Sequence, residues 1–334
     1  MLDKVGRKAL KQKPMLRNFT AAFVALAVFL APTTPLAAQD ATNPYAFTQD
    51  YKPDPAIWVL EDEDTTIYLF GTIHALPPGF EWRSERLDTI IDEVDELVLE
   101  TSDYSATEDA LDVHTKLAHL MDKRTPTSQS LSIAGRDRWE KLIALSGMDR
   151  YEMDTTPVLL ALLTIGVTGS KDQMASTFYG VETILEREFL RNGRPIGSLE
   201  DFNAVTYSMI RVPETELLAD LDAQLVNWDG KDLIAFYDPE LAAKTGDAYW
   251  YAEHNWAQGI VADDFSLGIG GGAITRALDG LLLDRRNRLW AEWIDARMDE
   301  PGDVLLAVGA GHFEGNVSLL AKLAERGFQV RRID

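Results

Sequence analysis

Apolar residues along this chain follow two spacings. Short apolar runs recur at Ile57-Trp58-Val59-Leu60, Thr66-Ile67-Tyr68-Leu69-Phe70, Leu97-Val98-Leu99, Ile196-Gly197-Ser198-Leu199, Val304-Leu305-Leu306-Ala307-Val308 and Phe328-Gln329-Val330. Runs of this length read as strands, the unbroken ones as strands buried on both faces. Between them, apolar positions three and four apart mark the inner faces of amphipathic helices: Leu87, Ile90, Ile91 and Val94; Leu289, Trp293 and Ile294; Val317, Leu320, Ala321 and Ala324. Glu61-Asp62-Glu63-Asp64 joins the first two runs as the turn of a hairpin, and it lacks the ligand spacing and the glycine of a calcium loop. From about 105 to 283 the pattern is mostly helical. Residues 111–121 form one stretch, and Pro157-Val158-Leu159-Leu160-Ala161-Leu162-Leu163 opens another, with proline tolerated at the start. The second is apolar all round but only about ten residues long before Gly166, so it predicts a buried core helix rather than a bilayer span. The whole predicts an α/β fold of mixed α+β character: a central mixed sheet flanked by helices, with a mostly helical middle insertion.

Two of the runs end in the same pattern, Gly71-Thr72-Ile73-His74 and Gly309-Ala310-Gly311-His312. With five histidines and 23 glycines in 334 residues, about a third of one such pattern is expected by chance, so the spacing alone is weak. The shared context adds weight: each copy runs strand, Gly-x-x-His, loop, amphipathic helix, strand. In open α/β sheets, ligands sit beyond the carboxyl ends of strands, where two such histidines can share one pocket. Glu100 follows the run ending at Leu99, and Glu200 follows the one ending at Leu199. Four strand ends thus present His74, Glu100, Glu200 and His312, a donor set suited to a divalent ion such as Zn, Mn or Co. The same groups can also work without metal, a His or Glu acting as general base on water. The plainer alternative is two turn histidines and solvent-facing glutamates.

Charge and the amino-terminal residues bear on compartment. Lys4, Arg7, Lys8, Lys11, Lys13 and Arg17 precede an apolar stretch at residues 19–31 and Leu36-Ala37-Ala38, the pattern of a signal peptide over residues 1–38 with cleavage after Ala38. An uncleaved anchor is the alternative, but the apolar part falls short of the roughly 20 residues a span needs. Residues 39–334 would then be a single exported domain, periplasmic or secreted, with no stable membrane insertion after cleavage. The formal charge is −22; removing the first 38 residues, which hold six basic residues and one acid, takes it to −27. Such a field repels nucleic acid and anionic lipid and favours a cationic or metal-bound partner. The chain has no cysteine, which excludes disulfides, thiolate ligands and a lipid-modified cysteine.

Other motifs narrow the chemistry. His114 and His119, five apart on a helix, face different sides and do not make a ligand pair. His254 lies among Tyr249, Trp250, Tyr251 and Trp256, which either pack or stack on a ligand. Gly268-Ile269-Gly270-Gly271-Gly272-Ala273 lacks the flanking unit of a nucleotide site and reads as a loop bordering the pocket. Arg285-Arg286-Asn287-Arg288 opens a helix shortly before the second motif, where an arginine can hold a substrate carboxylate or an oxyanion. A surface basic cluster is the alternative there. No Gly-x-Ser-x-Gly elbow and no His-Glu-x-x-His helix occurs, against serine hydrolases and ordinary zincins.

Residues 67–79 (Ile-Tyr-Leu-Phe-Gly-Thr-Ile-His-Ala-Leu-Pro-Pro-Gly), Glu96-Leu97-Val98-Leu99-Glu100, Tyr179-Gly180-Val181-Glu182, Leu199-Glu200, Arg286-Asn287 and Ala307-Val308-Gly309-Ala310-Gly311-His312 resemble the TraB/GumN family of the wider Tiki superfamily. The likeness runs from about residue 56 to 333. It implies a mixed α/β fold in which His74 and His312 meet, with Glu100, Glu182 (the acid of the central Gly-x-acid segment) and Arg286 nearby. Tiki members are described as metal-dependent proteases, and more distant relatives include esterase-like hydrolases and a haem-binding lipoprotein. One departure follows Leu199-Glu200, where Asp201-Phe202-Asn203 replaces the usual Thr-x-Glu-Gln. The expectation is therefore an exported, metal-dependent peptidase-like hydrolase. Catalysis would fall to His74, His312, Glu100 and Arg286, substrate binding to Glu200, Arg285 and Asn287, and Mn, Co or Zn would sit on His74, His312, Glu100 and Glu182. The alternative is a non-catalytic periplasmic protein that captures a peptide, a signal or a cofactor such as haem.

Overall fold

The computed structural model describes residues 43–101, 124–169, 175–268 and 272–333. The signal-like leader, the stretch at 111–121 with its two histidines, and residues 269–271 of the glycine-rich loop lie outside them.

Among the described residues, six strands form one mixed sheet: β1 (Ile57–Glu61), β2 (Thr65–Thr72), β3 (Glu96–Leu99), β4 (Ile196–Ser198), β5 (Gly302–Gly309) and β6 (Arg331–Ile333), in the order β4-β3-β5-β2-β1-β6. The hairpin read from the sequence is present, with Ile57 opposite Phe70 and Glu61 opposite Thr66. β2, β5, β3 and β4 run parallel, so their carboxyl ends share one edge of the sheet. The central pair, β2 and β5, is in register from Thr65–Gly302 to Thr72–Gly309, which brings the two Gly-x-x-His segments side by side.

Helices follow in chain order: α1 (Glu85–Glu93), α2 (Ile133–Ser146), α3 (Arg150–Thr155), α4 (Val158–Gly169), α5 (Val181–Arg191), α6 (Phe202–Ile210), α7 (Glu214–Asn227), α8 (Leu233–Tyr237), α9 (Tyr251–Ala257), α10 (Ala273–Leu278), α11 (Arg285–Arg297) and α12 (Leu319–Glu325). Because side chains alternate along a strand, the sheet buries both faces. Phe70, Leu97, Leu305 and Ala307 pack under Leu87, Ile90 and Ile91 of α1 and Val181, Leu185 and Phe189 of α5. Ile67, Leu69, Val304, Leu306 and Val308 pack under Trp290, Ala291 and Ile294 of α11 and Leu319 and Leu323 of α12. α9 adds Trp256 and Ala257 to the α1 and α5 side, and the remaining helices share a core of their own, with Trp139, Leu142, Leu159, Leu162, Leu221 and Leu278 inside it. The apolar α4 is buried there; no described helix is long and apolar enough to cross a membrane.

Three sequence readings shift. The last strand starts at Arg331 rather than Phe328, because the end of α12 takes the intervening residues: Gly327 adopts φ 91°, and the Phe328 N–H reaches back to the Leu323 carbonyl at 3.1 Å. That is a left-handed helix stop, with Phe328 and Val330 folded onto the core beside it. The buried positions of α12 are Leu319 and Leu323, one residue away from the face read at Leu320 and Ala324. On α11 they are Asn287, Trp290, Ala291 and Ile294, while Leu289 is exposed.

The residues before β1 are pinned along α9. Thr48 donates its N–H and hydroxyl to Asp247, Trp250 Nε1 donates to the Tyr45 carbonyl, and the Asp54 N–H donates to that of Ala257. His254 is buried among Phe47, Phe80 and Tyr51, with the Tyr51 hydroxyl 2.6 Å from its Nδ1. Of the aromatics around it, Tyr249, Trp250 and Trp256 are buried and Tyr251 is exposed, so packing is the role of three of the four.

Candidate functional site

The parallel ladder places the first acids. Beyond the last strand residues, the Leu199 and Glu200 N–H groups still donate to the Leu99 and Glu100 carbonyls, at 2.9 and 3.2 Å, so Glu100 and Glu200 emerge side by side. Two carboxylates so close need a cation between them, and α11 supplies it. Arg286 Nε donates to Glu200 Oε1 at 2.7 Å, and Nη2 donates to Glu100 Oε2. Its guanidinium lies over the Trp290 ring, four residues on along the same helix face, 4.6 Å from the centroid. The residues just ahead of α11, Asp279–Asp284, form a π-helical turn, and the Leu282 carbonyl within it accepts from Arg286 Nη1. π-turns of this kind are frequent where a helix must aim a side chain at a functional site.

The second histidine is held from the same helix. Gly309 ends β5, and His312 sits in the 3-10 turn Ala310–Phe313 that follows. His312 Nδ1 is 2.7 Å from Asn287 Oδ1, while Asn287 Nδ2 donates to the Val317 carbonyl at 2.7 Å. Since the amide nitrogen is committed, the amide oxygen must accept, and Nδ1 of His312 carries the proton. That leaves the Nε2 lone pair to accept from Arg286 Nη1 at 3.3 Å, with Glu100 Oε1 3.7 Å away. The ring stacks obliquely on Trp290 with centroids 4.3 Å apart.

The first histidine stands two residues beyond β2, near the start of α5. The Val181 N–H donates to the Ile73 carbonyl, tying the motif to the helix start. Gly180 is required there because a Cβ would run into the His74 carbonyl. Glu182, in the first turn of α5, faces His74 Nδ1 at 2.6 Å and also accepts from the Thr72 hydroxyl. A carboxylate is favoured at that position by the helix dipole.

Gly309 joins the two halves. Its N–H donates to Glu100 Oε1 at 2.6 Å, and a Cβ on it would lie 3.1 Å from that same oxygen and 3.2 Å from His74 Nε2. His74 and Glu100 therefore approach each other across the space that any other residue at 309 would fill. The two motifs meet in one hollow, graded from open to closed: the His74 side chain is 64% exposed, while those of Glu100 and Arg286 are 13% and that of His312 is 6%.

The electrostatics pull the two imidazoles apart. His74 is raised to about 9, chiefly by the Glu182 charge, with solvent at the mouth screening part of that attraction. His312 is lowered to about 3 by burial, which the charge of Glu100 only partly offsets. Burial also opposes the charge on Glu100, but Arg286, the histidines and the Gly309 N–H outweigh it and hold the group well below the usual carboxylate range. In Glu200 burial wins and the pKa rises despite Arg286. Burial likewise opposes the guanidinium charge, yet the two carboxylates raise Arg286 above its ordinary value.

Of the residues singled out from the sequence, His74, His312, Glu100, Glu182, Glu200, Arg286 and Asn287 gather here, while Arg285 is exposed at the helix start. Asn287 was read as a substrate contact; it is fully buried with both ends of its amide used, so it orients His312 instead. Glu200 holds Arg286, and Glu182 holds His74. Sequence reasoning missed Thr72 and Trp290. The first lies inside the Gly-x-x-His motif, and the second follows Arg286 at helical i+4 spacing, which is the signal that could have found it.

Among the described residues, no three His, Asp or Glu side chains are already gathered at ion-binding distances. In kind, however, the donors fit a divalent cation: His74 Nε2 and His312 Nε2, each with Nδ1 tied to an outer oxygen, and the Glu100 carboxylate.

No curated protein and no solved structure matches the chain. A family model does, across residues 56–332, a span that takes in the sheet, both Gly-x-x-His segments and every side chain of the hollow. The chain belongs to the TraB/PrgY/gumN family.

Proposed function

We propose that this protein is an exported, peptidase-like hydrolase working through a divalent ion held by His74 Nε2, His312 Nε2 and Glu100. The observation that carries the reading is the convergence of His74 Nε2 and Glu100 on Gly309 beside His312, whose Nε2 stays unprotonated; His74, raised to about 9, gives up its proton as the ion binds. A general base must keep the proton it takes from water, and a group whose pKa sits near 3 scarcely does so at neutral pH. An Nε2 lone pair that stays unprotonated at every physiological pH suits a cation, which would take the place of the Arg286 Nη1 donor now 3.3 Å away. When bound, the ion would polarise a scissile carbonyl and acidify a water.

The chain's own residues do the rest. Asn287 fixes the His312 tautomer, and Glu182, backed by Thr72, fixes that of His74. Arg286 keeps Glu100 ionised, and its positive field stabilises negative charge developing on a carbonyl oxygen. Its donors are already taken by Glu100, Glu200, His312 and Leu282, so it acts by charge rather than by a spare hydrogen bond. His74 marks the open side, from which substrate enters. The basic, then apolar, leader supports export.

The test is a diverse peptide library incubated with the chain lacking residues 1–38, in chelator and then in Mn, Co or Zn, beside His74→Ala and His312→Ala. New peptide termini that need both histidines and a metal are expected. Cleavage indifferent to metal and to both substitutions would end the reading, and intact peptide retained at one per chain would replace it with capture.

A further inference from the structure

His312 and Arg286 reach the hollow from two different cores. His312 rides on a turn at the end of the sheet, while Arg286 follows the π-turn Asp279–Asp284, whose Leu281 and Leu282 pack into the core of the helical lobe. Residues 261–267 cross from one to the other as a strap: Val261 packs against the sheet core and Leu267 against that of the helices. Between those two anchors the strap is exposed from Ala262 to Ser266, and even the Phe265 side chain is 38% exposed. Burial of its own side chains therefore does little to hold the strap down, and specific contacts must.

On the sheet side these contacts bracket His312. The Ala262 N–H donates at 3.3 Å to Oε1 of Glu314, two residues past it. Phe265 seats on Gly311, the residue before it, where a Cβ would run into the ring at Cε1 and Cζ. Gly311 does not lie in the left-handed region, so its backbone would accept a side chain; it is the ring that excludes one. The strap backbone also rests on Gly315, where a Cβ would come 3.3 Å from the Phe265 nitrogen. On the helical side, the Ser266 hydroxyl and the Leu267 N–H donate to the two oxygens of Asp279, at 2.7 and 2.8 Å. Asp279 is the first residue of the π-turn that leads to Arg286, so one short segment is fastened to the carriers of both side chains.

The spacing between those side chains is sensitive. Arg286 Nη1 and His312 Nε2 stand 3.3 Å apart, at the long end of hydrogen-bond range, where a few tenths of an ångström decide whether the contact is made. We propose that residues 261–267 are a clamp that fixes the spacing of His312 and Arg286, with Phe265 and Asp279 as the positioning residues at its two ends. For its catalytic consequence the proposal rests on the hydrolase reading above: opening either end lets the His312 turn shift against the π-turn, and the donor set loses the preorganisation that ion binding needs.

The test compares the chain lacking residues 1–38 with Phe265→Ala, Asp279→Ala and the two combined. Beside them stand Phe265→Tyr, which keeps the ring, and Asp279→Asn, which keeps a partner for both strap groups. Nitrogen-15 spectra of the His312 ring, recorded without metal, read the Arg286 contact directly. Each alanine variant is expected to move the Nε2 resonance toward that of a ring nitrogen accepting no hydrogen bond, and the conservative variants to keep the parent's value. The double variant is expected to go no further than either single one, because a clamp opened at one end is already open. Zn affinity by calorimetry is expected to fall about tenfold in each alanine variant and again about tenfold, rather than 100-fold, in the double. Should Asp279→Ala not fold, Ser266→Ala on the exposed strap loosens the same end without touching the π-turn. An unmoved Nε2 resonance in the single variants, or losses that multiply in the double, overturns the clamp. A moved resonance in a protein that neither binds Zn nor cleaves peptides keeps the clamp and removes the hydrolase; Zn-dependent cleavage with an unmoved resonance does the reverse.

Discussion

Asn287 Oδ1 stands 2.7 Å from His312 Nδ1, and that one contact decides which nitrogen of a buried imidazole faces the hollow. Asn287→Leu keeps the volume and removes the acceptor, freeing the ring to place its proton on Nε2. The expected result is a fall of about 10- to 100-fold in metal affinity or turnover. The Val317 carbonyl, left without its donor, would add a stability loss of about 1–3 kcal/mol. Nitrogen-15 chemical shifts of the His312 ring report the tautomer directly, and an unchanged tautomer would remove Asn287 from this role.

Arg286 neutralises two buried acids at once, so its loss strands both. Arg286→Ala is expected to cost about 3–5 kcal/mol in urea denaturation, the usual penalty for leaving a buried charge unpaired. Arg286→Ala combined with Glu100→Gln and Glu200→Gln should recover much of that loss without recovering activity. If the single substitution is as stable as the parent, the three groups do not form the cluster described here.

Gly309→Ala adds one methyl group in the gap between Glu100 Oε1 and His74 Nε2. The strand backbone accepts alanine readily, since φ at this position is −49°. The fold should therefore survive, with melting within a few degrees of the parent, while hydrolysis or metal binding drops at least tenfold, about 1.4 kcal/mol in the relevant free energy. Retained activity would mean that His74 and Glu100 do not act together.

Glu253 is pushed up to about 7 by burial. Its folded pKa lies above the unfolded value near 4.5, so the folded state holds the proton more tightly. This contribution to stability is complete below pH 4.5 and is lost as pH rises to about 7. At a little over 1 kcal/mol per pKa unit, Glu253→Gln is expected to stabilise the protein by about 2–3 kcal/mol at pH 8 and to have little effect at pH 4. Denaturation of the two forms at both pH values checks it, and an equal difference at the two would rule out the proton as the cause.

Much of this arrangement was legible before any coordinates. A short uninterrupted run such as Val304 to Val308, bounded by turn residues, reads as a strand buried on both sides, and the residue just past each parallel strand falls at one edge of the sheet; hence His74, Glu100, Glu200 and His312 could be placed together. What spacing could not give was the partner of each group. Asn287 and Arg286 are consecutive and equally polar, yet one points at a histidine and the other at two glutamates. That division of labour depends on the π-turn ahead of α11 and on Trp290 beneath the guanidinium, neither of which leaves a periodic mark. The end of α12 misled for a related reason. Phe328 and Val330 are apolar because they close over a helix stop, and a run of that composition looks the same as a short strand.

The pairing of β2 with β5 has one more consequence. Residues 65–74 leave the ribosome more than two hundred residues ahead of residues 302–312, so for most of its synthesis the growing chain holds half of the hollow with nothing opposite it. The last central strand to arrive is also the one that delivers His312 and the amide that grips Glu100. The hollow therefore exists only once the fold is complete, and a chain ending before residue 302 lacks this strand, His312 and the amide that grips Glu100.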